Sequence, residues 1–126
     1  MKKTTRSAIL LAVALAALGG LAVPAEAKQA ATPDASRDAA YHYSIGTMLA
    51  LDGKLKESAA EYEKALALDP KSAFLAVELA SLYVKMGDLD RALAVCEQSL
   101  VHNPERAETY ALMGSIYLFK KDYEKA

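Results

Sequence analysis

The sequence predicts an all-α fold, a tandem array of helix-turn-helix units that forms an α-solenoid of about two and a half repeats. The first observation is a fixed interval: Pro104 follows Pro70 by 34 positions. Gly87 follows Gly53 by the same interval. The second observation is that apolar residues between these markers recur at steps of three and four, the spacing of one helix face. The third is that large side chains keep the same interval in three columns: Ile45, Leu79 and Met113; Leu49, Tyr83 and Tyr117; Leu55, Leu89 and Tyr123.

Residues 1–27 have the three parts of a secretory signal peptide. Basic residues near the start precede an apolar run over 8–23 and the small-residue sequence Ala25-Glu26-Ala27. The apolar run is shorter than the roughly 20 residues that a membrane-spanning helix needs. We therefore expect cleavage after Ala27 and an exported protein in the periplasm or cell envelope. The alternative is that the signal stays uncleaved as an anchor, which would be the protein's only contact with a membrane.

The composition narrows the class of partner. The predicted signal carries three of the 15 basic and one of the 16 acidic residues, so the mature chain has a net charge of −3. Its one adjacent basic pair is Lys120-Lys121, and a phosphate backbone needs a clustered basic face, so nucleic acid is not an expected partner. Cys96 is the only cysteine and cannot form an intrachain disulfide.

The first helical unit follows a short tether. Residues 28–36 are small, polar and proline-containing, which predicts a flexible linker. Helical spacing predicts a first helix from Arg37 to about Asp52, ended by Gly53. A second helix is predicted over Leu55–Leu68. Pro70 ends it, because proline disfavours helical backbone in the residue before it.

The second unit repeats this plan. The spacing predicts a helix over Ser72–Met86, with Gly87 as a left-handed stop. Asp88 is the predicted N-cap of a helix from Leu89 to about His102, which Asn103-Pro104 ends.

The third unit is incomplete. It predicts a helix from about Ala107 to Lys120, a turn at Lys121-Asp122 and the first turn of another helix over 123–126. The repeat domain then covers 37–126, with repeats at about 39–72, 73–106 and 107–126. Stacked repeats generally need about three units and a polar cap. We therefore expect either a longer array of which this is the beginning, or self-association through the uncapped face that carries Tyr110, Met113 and Tyr117.

The 34-residue period brings small residues, tyrosines and a closing proline into fixed phase, as at Gly46, Ala80 and Gly114. Over roughly 39–126 this pattern resembles the tetratricopeptide repeat, whose unit is two antiparallel helices. The resemblance places these small residues at helix crossings, opposite Ser58, Ala92 and Ala126. It also implies that the first helices of the units line a concave groove.

The groove positions that the resemblance implies are largely apolar. Those expected to contact a partner are Tyr43, Thr47, Phe74, Val77, Ser81, Val84, Lys85, Ala111, Ser115, Leu118 and Phe119; Ala40, Ala50, Leu51 and Glu108 complete the lining. A strip of this kind is typical of a surface that binds a protein or peptide. The alternative is that some of the aromatic side chains pack between neighbouring units.

Some members of the family clamp the terminal carboxylate of a chaperone tail with lysine, asparagine and arginine. The matching positions in this chain are Tyr43, Thr47, Glu78, Glu108 and Leu112. The cations are missing and two positions are acidic, so the resemblance does not extend to that clamp. We expect instead a segment held by apolar contacts, with Lys85 available to an acidic residue of the partner.

The sequence contains no pattern that predicts catalysis. His42 and His102 have no carboxylate or cysteine beside them at metal-ligand spacing, so no metal site is predicted. Cys96 takes the position that Tyr62 holds one repeat earlier, which favours a buried, inert thiol. No glycine-rich phosphate loop is present, and no catalytic or cofactor site is expected.

The predicted function is that of a non-enzymatic scaffold for protein–protein interaction, which binds a partner peptide or domain in its concave groove in the bacterial cell envelope. One alternative is a structural component that assembles by stacking its repeats onto other subunits. The other is an accessory repeat region of a longer protein that could carry an enzyme.

Overall fold

The chain folds into five α-helices and no β-strand over residues 32–125, which are the residues that the computed structural model describes. The predicted signal peptide over 1–27, residues 28–31 of the predicted linker and Ala126 lie outside them. The predicted all-α repeat architecture is confirmed. The helices are α1 (Pro33–Leu51), α2 (Leu55–Leu68), α3 (Ala73–Lys85), α4 (Leu89–His102) and α5 (Ala107–Lys125).

Helix α1 begins four residues earlier than the spacing of apolar residues predicts. The Thr32 hydroxyl accepts a hydrogen bond from the Ala35 amide at 3.1 Å and caps the helix. Pro33 then takes the first helical position, where its missing N–H costs nothing, and Asp34 in the first turn suits the helix dipole. Residues 33–36 of the predicted linker are therefore helical.

The turns inside the first two hairpins are the same structure. Gly53 and Gly87 have φ of 77° and 78°, a left-handed conformation that glycine adopts without steric cost. Each ends its helix in a Schellman motif. In the first turn, Gly53 N donates to Ala50 O and Lys54 N donates to Leu49 O. In the second turn, the equivalent bonds run from Gly87 N to Val84 O and from Asp88 N to Tyr83 O. Matching backbone bonds 34 residues apart confirm the repeat.

The links between units are also equivalent. Asp69 and Asn103 end α2 and α4 with φ of −132° and −133°, each directly before a proline. The Asn103 side-chain amide donates to the Lys71 carbonyl at 2.9 Å. Successive links are therefore joined to one another.

Helix α5 is continuous through Lys125, and the predicted turn at Lys121-Asp122 is wrong. The 34-residue interval places Lys121 at the position of Gly53 and Gly87. A lysine in left-handed backbone costs about 1–2 kcal/mol, so the helix continues where a glycine would end it.

The helix crossings in the first two units are as close as their small residues predict. The Ser58 hydroxyl donates to the Gly46 carbonyl at 2.6 Å, and Ala80 and Ala92 are fully buried. Gly114 differs. It is exposed, and a Cβ added there would meet no described atom within 4 Å, so Gly114 makes no close crossing with any described residue; its predicted partner, Ala126, lies outside them.

A continuous core joins α2 to α5, and α3 is in contact with α2, α4 and α5. The buried residues of this core are Ala59, Tyr62, Leu79, Ala80, Leu82, Tyr83, Ala92, Leu93, Cys96 and Ile116. Three residues at the same repeat position show how the units stack. Met48 in the first unit is 67% exposed, whereas the equivalent Leu82 and Ile116 in the next two units are buried. Within the described part, none of the helices is both long and apolar enough for a membrane span.

Candidate functional site

Three aromatic side chains meet where α1 approaches α3. The Tyr43 ring stacks on Tyr62 with 5.4 Å between centroids and an interplanar angle of 20°. Phe74 contacts Tyr43 edge-on at 5.2 Å and is 52% exposed. We call Tyr43, Tyr62 and Phe74 the aromatic cluster. Because Phe74 lies on α3, the cluster joins the first helices of two successive units.

The sequence positions the cluster through Gly46. A Cβ at residue 46 would overlap the Tyr62 ring, so only glycine leaves room for that ring against α1. The Thr47 hydroxyl donates to the Tyr43 carbonyl at 2.9 Å and lies 3.1 Å from the Tyr62 hydroxyl. Since the single Thr47 proton is used, Tyr62 is the donor of the second bond.

A carboxylate lies beside the cluster. Glu78 is four residues after Phe74, so both side chains lie on the same face of α3. It is half-buried, and it has no ion pair or hydrogen bond with any residue of the described part. Burial raises the pKa of Tyr62, and nearby Tyr43 and Glu78 raise it further.

The structure unites three of the predicted partner-binding residues: Tyr43, Thr47 and Phe74. Of the others, Val77, Ser81 and Val84 are half-buried, whereas Lys85, Ala111, Ser115, Leu118 and Phe119 are exposed. The exposure is large for two apolar side chains, 66% at Leu118 and 50% at Phe119. We call the side chains of α1, α3 and α5 in this set the first-helix surface. Their contact with a partner stays a prediction.

Two residues beside this surface were not among the predicted contact residues. Tyr62 is a buried residue of α2, and its hydroxyl reaches Thr47. The signal for it is Gly46, because a glycine facing an aromatic residue predicts that the ring passes over the helix. Glu78 was considered only as a clamp position. Of the other clamp positions, Glu108 is 3.2 Å from the Arg106 guanidinium and Leu112 packs against the core.

A cavity of about 310 Å³ lies between α2, α3 and α4, away from the aromatic cluster. Leu66, Leu79 and Val95 form apolar parts of its wall. Ser99 also lines it, and its buried hydroxyl has no hydrogen-bond partner among the described residues. At its edge Tyr83 donates a hydrogen bond to Glu63. The volume is at the lower end of the range of about 300–1,000 Å³ that is typical of small-molecule pockets.

Cys96 and the His42–Glu61 pair are titratable groups outside the aromatic cluster. Burial raises the pKa of the Cys96 thiol to about 11, as its predicted inertness requires. His42 Nδ1 lies 2.6 Å from Glu61, and Lys64 and then His42 hold the pKa of the Glu61 carboxyl below its ordinary value. Over residues 32–125, no three His, Cys, Asp or Glu side chains are grouped as metal ligands.

Two solved structures are among those with a similar fold. The first tetratricopeptide repeat domain of Spaghetti (RPAP3), bound to the HSP90 peptide SRMEEVD, has a TM-score of 0.62 and 22% identity, with 71% of each chain covered. The second such domain of Spaghetti (RPAP3), bound to the same peptide, has a TM-score of 0.60 and 22% identity, with 71% of this chain and 89% of that one covered. At this identity the likeness is one of fold.

Comparison of sequences identifies the family. The Hsp70-Hsp90 organizing protein of Triticum aestivum is 30% identical over 73 residues, which are 58% of this chain and 13% of that protein. This chain therefore spans a small part of that relative. A family model described as tetratricopeptide repeat matches residues 49–116, more than half of the chain, and a second matches 107–126. With two equivalent hairpins and the family's pattern across most of the described helices, the chain belongs to the tetratricopeptide repeat family.

Proposed function

We propose that the protein is a non-catalytic scaffold that binds a segment of a partner protein on the first-helix surface. The observation that carries this proposal is the aromatic cluster, in which Phe74 is 52% exposed while it contacts Tyr43. Exposed Leu118 and Phe119 extend the apolar surface onto α5, which contacts α3. Apolar side chains grouped in this way mark a binding site more often than a solvated surface.

The similar structures support the mode of binding rather than the ligand. Both domains of Spaghetti (RPAP3) hold an acidic peptide. In this chain two of the positions that the family uses for its carboxylate clamp are Glu78 and Glu108. The proposal is therefore a peptide or domain held mainly by apolar contacts, not an acidic chaperone tail.

The cellular setting is part of the proposal. The basic start, apolar run and small-residue sequence of residues 1–27 support export and cleavage after Ala27, with the scaffold acting in a bacterial cell envelope. Expression in a bacterium followed by N-terminal sequencing of the periplasmic fraction tests this. A mature product that begins at Lys28 is expected, and an intact Met1 in the cytoplasm would contradict it.

Selection of binders from a random 12-residue phage-displayed library tests the binding function. Peptides that bind the full chain should bind Phe74→Ala at least about tenfold more weakly, because truncating a central aromatic residue costs more than about 1.4 kcal/mol of binding. Tyr41→Ala is the control, since Tyr41 is a 62% exposed tyrosine on another face of α1. Circular dichroism checks that both variants stay helical. Failure to select any binder, or equal binding by Phe74→Ala, would refute the proposal.

A second candidate is assembly by repeat stacking. Tyr110 and Tyr117 are 53% and 52% exposed on α5, on the side where a Cβ added at Gly114 would meet no described atom within 4 Å. This candidate predicts that light scattering detects concentration-dependent oligomers that Tyr117→Lys dissociates. A third candidate, an accessory region of a longer protein, is supported by the 13% of the wheat relative that the match covers.

A further inference from the structure

The part of the first-helix surface around the aromatic cluster has the chemistry of a cation site. We propose that the partner segment places a lysine or arginine side chain against Phe74 and Glu78. This inference rests on the proposed function and specifies the partner as a segment with a basic residue among apolar ones.

The first support is the state of Glu78. Its carboxylate is half-buried and lacks an ion pair or hydrogen bond within the described part of the chain. A partly desolvated charge without a partner is unfavourable, and a complementary charge removes that penalty. The neighbouring groups, Tyr43, Tyr62 and Thr47, are neutral and provide no cation. A positive group from outside would complete the site.

The second support is the accessible aromatic surface. Tyr62 covers one face of Tyr43, whereas about half of Phe74 is open to solvent. Ammonium and guanidinium groups bind over aromatic rings within about 6 Å of the centroid. Because Glu78 follows Phe74 by one helical turn, one cation can lie over the ring and pair with the carboxylate. The aliphatic part of a lysine or arginine side chain would cover the ring edge.

The same combination of groups occurs elsewhere in this molecule. The Arg91 guanidinium lies 5.7 Å from the centre of the Tyr83 ring, whose hydroxyl donates to Glu63. There the cation, the aromatic ring and the carboxylate all come from one chain. At Phe74 and Glu78 the ring and the carboxylate are present and the cation is left to the partner.

The negative charge of Glu78 also explains which partners are disfavoured. An acidic peptide such as SRMEEVD, which the two similar structures hold, would bring carboxylates next to Glu78. Like charges at a partly desolvated site repel, and such repulsion discriminates between partners as strongly as attraction does. This chain should therefore prefer basic peptides to acidic ones, whereas those two domains hold an acidic peptide.

Titration of the ¹⁵N-labelled full chain with N-acetyl-arginine methylamide, followed by NMR, tests the inference. Its matched probe is N-acetyl-citrulline methylamide, which has nearly the same shape without the charge. The arginine probe should shift the amide signals around Phe74 and Glu78, and the citrulline probe should bind about tenfold more weakly, as expected for loss of a charge-assisted contact. Equal binding of the two probes, or shifts confined to other helices, would overturn the inference.

Two variants assign the effect to the named groups. Glu78→Gln should remove the preference for arginine over citrulline, and Phe74→Leu should weaken arginine binding severalfold while an apolar side chain remains. Glu97→Gln is the matched control, since Glu97 is an exposed glutamate on α4. If Glu78→Gln keeps the preference, the site is not the one proposed.

The phage selection separates this inference from the proposed function. Selected peptides should be enriched in lysine or arginine, and enrichment should disappear with Glu78→Gln as the target. Peptides that require Phe74 but show no basic residue would refute the cation site and leave the scaffold function standing. Absence of any selected peptide would refute the scaffold function itself.

Discussion

Gly46 and Gly114 occupy the same repeat position and have opposite surroundings. At Gly46 an added Cβ would overlap the Tyr62 ring and lie 3.3 Å from the Ser58 carbonyl oxygen. At Gly114 an added Cβ would meet no described atom within 4 Å. One glycine is therefore required by packing, whereas the other only lowers the stability of its helix.

This contrast predicts that alanine substitutions at the two positions change the stability of the fold in opposite directions. Gly46→Ala should destabilise the fold, because overpacking costs about 1–3 kcal/mol and exceeds the roughly 1 kcal/mol gained in helix propensity. Gly114→Ala should stabilise it by about 0.5–1 kcal/mol, since only the propensity changes. Urea unfolding followed by circular dichroism measures both. A Gly46→Ala variant more stable than the wild type would show that Tyr62 can move away at little cost.

Cys96 gives the fold a dependence on alkaline pH. Burial raises its pKa from an ordinary value of 9.0 to about 11. The unfolded chain therefore loses this proton at lower pH than the native chain, so the stability contribution is complete below pH 9 and is lost as pH rises towards 11. When the pH is raised from 8 to 10.5, the free energy of unfolding should fall in both proteins. The fall should be smaller in Cys96→Ala than in the wild type, by on the order of 1–2 kcal/mol. Urea unfolding of both proteins across this range measures the difference; parallel curves would contradict it.

At the scale of the helix, the ends of the elements follow from single residues. Gly53 and Gly87 end α1 and α3 in left-handed backbone, and α5, with Lys121 at that position, continues. Gly87→Ala should therefore destabilise the protein by about 1–2 kcal/mol, although no side chain would be crowded. Urea unfolding measures the loss, and Gly114→Ala is the control for the added methyl group. Unchanged stability in Gly87→Ala would show that the turn does not depend on glycine.

The elements that the sequence predicts best are those with a physical stop at each end. The bounds of α2 and α4 agree with the prediction because Gly53, Pro70 and Gly87 each act locally. The start of α1 was missed because its composition resembles a linker, while the cap that decides it is one hydroxyl, that of Thr32. The turn at Lys121 was wrong because periodicity was extended to a position that lacks the glycine.

The candidate site was only partly predictable for a different reason. The repeat interval identifies which residues face the first-helix surface, as it does for Tyr43 and Phe74. It does not give the contacts between residues that are distant in sequence, such as Tyr62 with Thr47. Nor does it show that Glu78 lacks an ion pair with the residues of 32–125, because that depends on where every neighbouring cation lies. Periodicity therefore predicts the surface, and packing determines its chemistry.

At the scale of the whole molecule, the helices differ in how much of each is buried. Helix α3 is packed against α2, α4 and α5 and has seven buried residues, from Ala73 to Tyr83. In α5, Thr109 and Ile116 are the buried residues of the described part. In a repeat array each unit is stabilised mainly by its neighbours. Stability should therefore be highest in the middle of the described chain and lower in α5.

Hydrogen exchange followed by mass spectrometry tests this gradient. Amides in the middle of α3 should exchange at least about tenfold more slowly than those in the middle of α5, because α5 can open without exposing the core between α2 and α4. Ile116→Ala should speed exchange in α5 further, since it removes the buried side chain that joins α5 to the core, and should change α2 least. Equal protection in α3 and α5 would mean that the array opens as one cooperative unit, in which case binding at Phe74 would stabilise α5 as much as α3.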